Sequence, residues 1–229
     1  MGGVVDFVFL VDATGSMAPC MDALKTNVGI FIDELEGPQS SVRNWRGKVI
    51  AFRDVPADGK DWWHEEPFVS DSEMLRDQLG RLEAHGGGDE PESLLDALHR
   101  VARSESSERG AQTLDPYKWR YRSDAARVVI VFTDATYHPV MSYPEGAGGT
   151  VADVQNAVMT GRIILIMYAP NHPCYEELAK IDKAEWEAIP ADPDYVQGLV
   201  KYTGDKTNFQ KALLALAKSV SMSAEIVAL

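Results

Sequence analysis

"VVDFVFLVDATGSM", residues 4–17, decides how the chain is read. Residues 4–11 form a short, β-branched run that is apolar except at Asp6. Strands covered by helices on both faces of a parallel sheet have that character. The run stops at Asp12, and Thr14 and Ser16 follow at alternate positions, three short oxygen-bearing side chains within five residues. A helical period then begins at once, with Met21, Leu24, Val28, Phe31 and Leu35 at three- and four-residue steps. Buried strand, oxygen-rich loop and helix in succession make the opening of a β–α unit.

The pattern repeats. "KVIAFR" (48–53), "RVVIVFT" (127–133) and "RIILIMY" (162–168) are further apolar runs, and "EEPFVSD" (65–71) suits an edge strand because Pro67 cannot donate to a central ladder. Helical periods lie between them: Leu75, Leu79 and Leu82; Leu94, Leu98 and Val101; Val151, Val154 and Val158; Phe209, Leu213, Leu216 and Val220. Such alternation predicts an α/β fold, a doubly wound, mainly parallel open sheet with one antiparallel edge strand and helices on both faces. The 229 residues, 45% of them hydrophobic, suit one domain, 1–229, with inserts at 104–126 and 182–206. The first insert is polar and long for a connection, and the second is broken by Pro190 and Pro193.

The net charge of −13 argues against a broad nucleic-acid surface and against attraction to acidic lipid. Asp6 interrupts the first apolar run and no basic start precedes it, so that run is neither a signal peptide nor a membrane span. Cys20 and Cys174 cannot build a disulfide framework and are expected as free thiols. A cytoplasmic location is the expectation. One basic-aromatic stretch, "DPYKWRYR" (115–122), is expected to pack its aromatics on the domain and turn its charges to water. Its functional alternatives are a partner-binding lip or a single-strand nucleic-acid site. His64 and His172 read as surface residues, and His138 as a plain loop histidine, with an outer role at a metal as the alternative.

Ligands of an open parallel sheet sit outside the carboxyl ends of its strands. There the chain places Asp12, Thr14 and Ser16 after the first strand, Asp54 after the second and Asp134 after the third parallel run, while "APNHP" after the fourth has no carboxylate. The loop "HGGGDEPES" (85–93) adds Asp89, Glu90 and Glu92 before a helix. Carboxylates and hydroxyls without clustered Cys or His suit Mg²⁺, Mn²⁺ or Ca²⁺ better than zinc or copper. The bland alternative is that Thr14 and Ser16 only cap the helix that follows.

With these residues in hand, the chain resembles a von Willebrand factor A-type domain. "DATGSM" is similar to that family's Asp-x-Ser-x-Ser loop, with Thr14 in place of one Ser, and "FTDA" supplies its late Asp through Asp134. "GGGDEPESLLDAL" resembles the middle loop of a subgroup with a GGGDxPE pattern, found in bacterial A-type domains, some atypical kinases and large matrix proteins. The resemblance implies a metal-ion-dependent adhesion site in which Asp12, Thr14, Ser16 and Asp134 hold a divalent cation, most simply Mg²⁺. An acidic side chain of a protein partner would complete the coordination. The family's middle-loop Thr is missing here, and Asp89 stands near its place. Asp89 is expected to act through water or to orient its loop, the alternative being a plain helix cap. The implied function is a non-enzymatic adhesion or assembly module. The alternative is a metal-dependent phosphoester hydrolase using the same carboxylates. A strand-end aspartyl nucleophile usually has a second acid two residues on, where this chain has Thr14, and no phosphate-binding glycine loop occurs.

Overall fold

A computed structural model of the protein describes residues 3–227; residues 1, 2, 228 and 229 of the expected 1–229 domain lie outside the described residues. The chain runs β1 (Gly3–Asp12), α1 (Ala18–Leu35), β2 (Val42–Phe52), α2 (Val55–Asp58), β3 (Trp63–Glu65), α3 (Ser72–Gly80) and α4 (Leu94–Arg103). It continues through β4 (Ala126–Phe132), α5 (Val151–Gly161), β5 (Ile163–Pro170), α6 (Cys174–Ala179), β6 (Ala184–Ile189), α7 (Tyr195–Gly204) and α8 (Lys206–Val227). The strands form one six-stranded sheet in the order β3-β2-β1-β4-β5-β6. Only β3 is antiparallel to its neighbour; the other pairings are parallel. This is the Rossmann-like α/β arrangement with one antiparallel edge.

Alternation along β1 divides the core. Phe7, Phe9 and Val11 face one side and pack with Met21, Leu24 and Phe31 of α1 and Phe209, Leu213 and Val220 of α8. Val8 and Leu10 face the other, against Leu94 and Leu98 of α4, Val154 of α5 and Tyr175 of α6. Sheet order runs outward in both directions from β1 and β4. Their carboxyl ends therefore diverge into a crevice at the switch point, where ligands bind in open α/β sheets. Asp12 ends β1 there, one step beyond the Val11–Phe132 pair.

Two expectations change. Residues 182–206 are not an insert: they supply β6, which pairs with β5, and α7. The strand was hidden because an edge strand has one open face. In "AEWEAI" the exposed Glu185 and Glu187 alternate with half-buried Ala184 and Trp186, so no apolar run forms. The edge strand expected at 65–71 lies at Trp63–Glu65, with Val69 reaching Gly47 only by an isolated bridge. Residues 104–125 connect α4 to β4 without helix or named strand, tied by a bridge between Ser106 and Trp119. Trp119 is fully buried, with its ring 5.2 Å from that of Phe68. Arg120, expected in water, instead pairs with buried Asp6 at 2.7 Å, because an acid inside an apolar strand must find a cation.

Candidate metal centre

Asp12 is fully buried at the end of β1. Its Oδ1 accepts from the Thr14 amide (3.0 Å) and the Thr14 hydroxyl (2.7 Å), and its Oδ2 from the Thr133 hydroxyl (2.6 Å). The short turn 15–17 begins directly after Thr14, so the strand end, the hydroxyl and the start of α1 are held as one piece. Asp134 is buried beside it and takes a hydrogen bond from exposed Ser16. The structure therefore brings Asp12, Thr14, Ser16 and Asp134 together.

The middle loop closes over this group through backbone geometry. Gly86, Gly87 and Gly88 have φ values of 69°, 93° and 61°, a left-handed run that side-chain-bearing residues rarely adopt. A methyl at Gly86 would strike the Asp58 carboxylate, and one at Gly87 would strike Thr14 and crowd Glu92. The loop is sewn to its neighbours: Gly15 donates to Gly86 O, His85 to Ala13 O, Glu92 to Thr136 O and His138 to Glu92 O. Asp89 is exposed and has no hydrogen-bond partner among the described residues. The acid that the loop buries is Glu92, three positions on.

A second tier supports the crevice. Asp54 at the end of β2 accepts from the Ser93 hydroxyl (2.9 Å) and the Ala57 amide (3.1 Å), and lies 2.8 Å from His138 Nε2. His138 is thus tied into the network and is not a plain loop histidine. Arg53 directs its guanidinium at the backbone carbonyls of Ala13, His85, Asp61 and Glu83, at 2.8 to 3.1 Å, clamping the first loop to the middle loop. Sequence reading missed Thr133, Glu92 as the inward acid, and Arg53. The available signals were modest: a hydroxyl just before the late Asp, and a basic residue ending a strand.

Burial and like charge dominate the electrostatics. Burial raises the Asp12 pKa, partly offset by its hydroxyl donors. Burial, then the Asp12 charge, lifts Asp134 to about 7, and burial with Asp12, Asp54, Asp58 and Asp134 around it lifts Glu92 to about 9. A bound cation would relieve such a group of acids. The donors are hard oxygens, the chemistry that fits Mg²⁺, Mn²⁺ or Ca²⁺. Among the described residues no three His, Cys, Asp or Glu side chains converge closely enough to hold an ion by themselves. An ion here would lean on the hydroxyls and on water as well as on Asp12 and Asp134.

The sheet order and the antiparallel edge are those of a von Willebrand factor A-type fold. Solved structures with this fold include a von Willebrand factor type A protein from Catenulispora acidiphila, 17% identical with a TM-score of 0.51, covering 89% of this chain and 43% of that one. The pilus adhesin SpaC from Lactobacillus rhamnosus GG, in an open conformation, is 11% identical with a TM-score of 0.52 over 95% of this chain and 31% of its own. Proximal thread matrix protein 1 of the mussel byssus is 13% identical with a TM-score of 0.55 over 90% of this chain and 49% of its own. The chain thus spans less than half the length of each of these structures. No protein-family model and no curated protein matches the sequence. No helix among the described residues is long and apolar enough to cross a membrane.

Proposed function

We propose that the chain is a protein-binding module whose crevice holds a divalent cation, Mg²⁺ before Mn²⁺ or Ca²⁺, to which an acidic side chain of a partner adds a ligand. The observation that carries this reading is Asp12: a fully buried carboxylate bonded to two hydroxyls and an amide, beside a second buried carboxylate, with no Lys or Arg side chain bonded to it among the described residues. Asp12 and Asp134 would bind the ion, with Thr14 and Ser16 contributing hydroxyls. The cation would supply a charged, electrophilic position at the surface. This chain's residues would hold it at the mouth of the crevice, and the exposure of Ser16 supports access for a partner.

The adhesin among the fold neighbours supports an assembly role over catalysis, and nothing at the site adds a second acid to Asp12 two residues on. Free thiols at Cys20 and Cys174 support a reducing, cytoplasmic setting. Calorimetry with Mg²⁺ and Mn²⁺ tests the metal half: saturable heat in the intact protein, absent in Asp12→Ala, is expected. No binding at millimolar metal overturns it. Steady turnover of generic phosphoesters that is lost in Asp12→Ala would instead favour the hydrolase.

A further inference from the structure

A cleft of about 600 Å³ opens between α4, α5 and the 104–125 connection, at the opposite end of β4 from Asp134. Arg103, Arg122, Arg127, His99, Tyr121 and Asp153 line it. Three arginines on one cleft run against the chain's net charge of −13. None of the three forms an ion pair among the described residues. Arg127 is 4% exposed, and burial pulls its pKa down to about 10. Asp6, the acid that acts on it through space, is held by Arg46 and Arg120. Arg127 bonds only neutral oxygens, Arg120 O, Gly161 O and Ser106 Oγ. These take four of its five N–H donors and leave one on Nη1.

Cations suit helix carboxyl ends. That accounts for Arg122, which bonds Thr160 O, and for the placing of Arg103 in the last turn of α4. It leaves the Arg103 donors unbonded among the described residues, and it does not account for His99. His99 is 6% exposed, with Nδ1 2.6 Å from the Tyr143 hydroxyl and Nε2 unpartnered among the described residues. Burial, then the Arg103 charge, lowers its pKa, so the ring is neutral. A neutral ring that accepts from Tyr143 at Nδ1 presents Nε2–H as a further donor.

We propose that this cleft is an anion site for the phosphate group of a small phosphate monoester, held by Arg103 and Arg122 with Arg127 and His99 as supporting donors. Asp153 is the one carboxylate on the cleft, and its Oδ2 is engaged by the Thr150 amide at 2.8 Å. Three guanidiniums against one carboxylate leave two positive charges, the match of a monoester dianion. The donors come from α4, the connection and β4. Such a spread suits three phosphate oxygens better than the flat pair of a carboxylate. The volume is that of a small-molecule site, larger than bare phosphate requires, and Tyr121 gives an organic body a ring to rest on. The site is independent of the cation proposed at Asp12.

Phenyl phosphate, inorganic phosphate and benzoate are the probes, titrated calorimetrically into the full chain in chelator. Saturable binding of phenyl phosphate at millimolar concentration is expected, tighter than that of either other probe. Arg103→Gln and Arg122→Gln should each weaken it about ten-fold, the scale of a lost charge-assisted bond. Both side chains are exposed, so both variants should fold, which circular dichroism checks. Arg43→Gln, which removes an exposed charge that does not line the cleft, should stay within about two-fold of wild type. Asp12→Ala should bind phenyl phosphate as wild type does. No saturable binding, or an equal loss in Arg43→Gln, overturns the site. Benzoate binding as tightly as phenyl phosphate overturns the preference for phosphate, and inorganic phosphate binding as tightly overturns the monoester. Binding that needs metal or is lost in Asp12→Ala would put the phosphate at the upper crevice and overturn the cleft. Failure of metal binding in calorimetry with Mg²⁺ would leave this inference standing.

Discussion

Asp6 and Asp12 lie on the same strand and on the same face of the sheet, and both are fully buried. Their surroundings are opposite. Asp6, near the amino end of β1, accepts from Arg46 Nε (3.1 Å) and Nη2 (2.6 Å), and from the Arg120 side chain and amide, both at 2.7 Å. Arg46 also donates to Asp115 O and Lys118 O, so this node straps the 104–126 connection across the lower edge. Asp12, six residues on, has hydroxyls and an amide instead, with Asp134 as its charged neighbour. One buried acid carries its countercharge in the chain, and the other has none bonded to it among the described residues. On the proposed reading the lower edge is architecture and the upper edge would be a receptor.

The same conservative change at the two ends should separate these roles most sharply. Asp6→Asn leaves two buried guanidinium groups facing an amide, and breaking a buried pair costs about 3–5 kcal/mol. Chemical denaturation should record that loss with or without metal. Asp134→Asn removes like charge from the upper edge and should leave the metal-free fold as stable as wild type or slightly more so. If both variants destabilise the metal-free protein equally, the upper acids are structural and the contrast collapses.

Metal should act on one edge only. At about a hundred times its dissociation constant, Mg²⁺ should add about 2.7 kcal/mol of stability by linkage. That gain should vanish in Asp12→Ala and in chelator. It should persist as an increment in Asp6→Asn, provided that variant still folds. Loss of the increment in a folded Asp6→Asn protein would mean that the two edges are not independent.

Proton linkage gives a smaller signal of the same kind. In the folded, metal-free protein Asp134 titrates near 7 and Glu92 near 9, both raised above their ordinary values by burial and then by neighbouring acids. The folded state therefore holds protons that the unfolded state has released. The resulting stability is fully present below the unfolded pKa values and is lost as pH rises through the folded ones. Metal-free stability should fall by more than about 1 kcal/mol between pH 5 and pH 9. Saturating Mg²⁺, which replaces those protons, should flatten the slope. A metal-free protein whose stability rises across that window would contradict the crowding of acids at the upper edge.

The strands of the parallel core were legible because burial on both faces leaves nothing but apolar residues, as in "RVVIVF" of β4. So were Asp12 and Asp134, since an acid directly after such a run lands at the carboxyl edge. β6 was not, because its exposed glutamates break the run. The choice between Asp89 and Glu92 was not either: three glycines with positive φ redirect the loop, and no spacing rule foresees which acid then turns inward. Asp6 was visible as an oddity, an acid within an apolar strand. Its cations, Arg46 and Arg120, stand 40 and 114 residues away in sequence, and only the folded chain brings them to it.

Asp54 is the intermediate case, and it makes the finest test. Like Asp12 it lies at the carboxyl end of a strand, two residues past β2, and is buried. Like Asp6 it has a partner that can carry charge, His138 at 2.8 Å, and the Ser93 hydroxyl and Ala57 amide complete its shell. A carboxylate so supplied has little need of an ion, so Asp54 should support the site without holding the metal. His138→Ala removes one hydrogen bond from a half-exposed position, leaving the other two donors in place. It should cost about 1 kcal/mol in denaturation. Mg²⁺ affinity should weaken by less than about three-fold, because the change acts on Asp54 and reaches the ion only through the Ser93 and Glu92 segment. A loss comparable to that of Asp12→Ala would place Asp54 at the ion itself, moving the boundary of the receptor edge outward from β1 and β4 to β2.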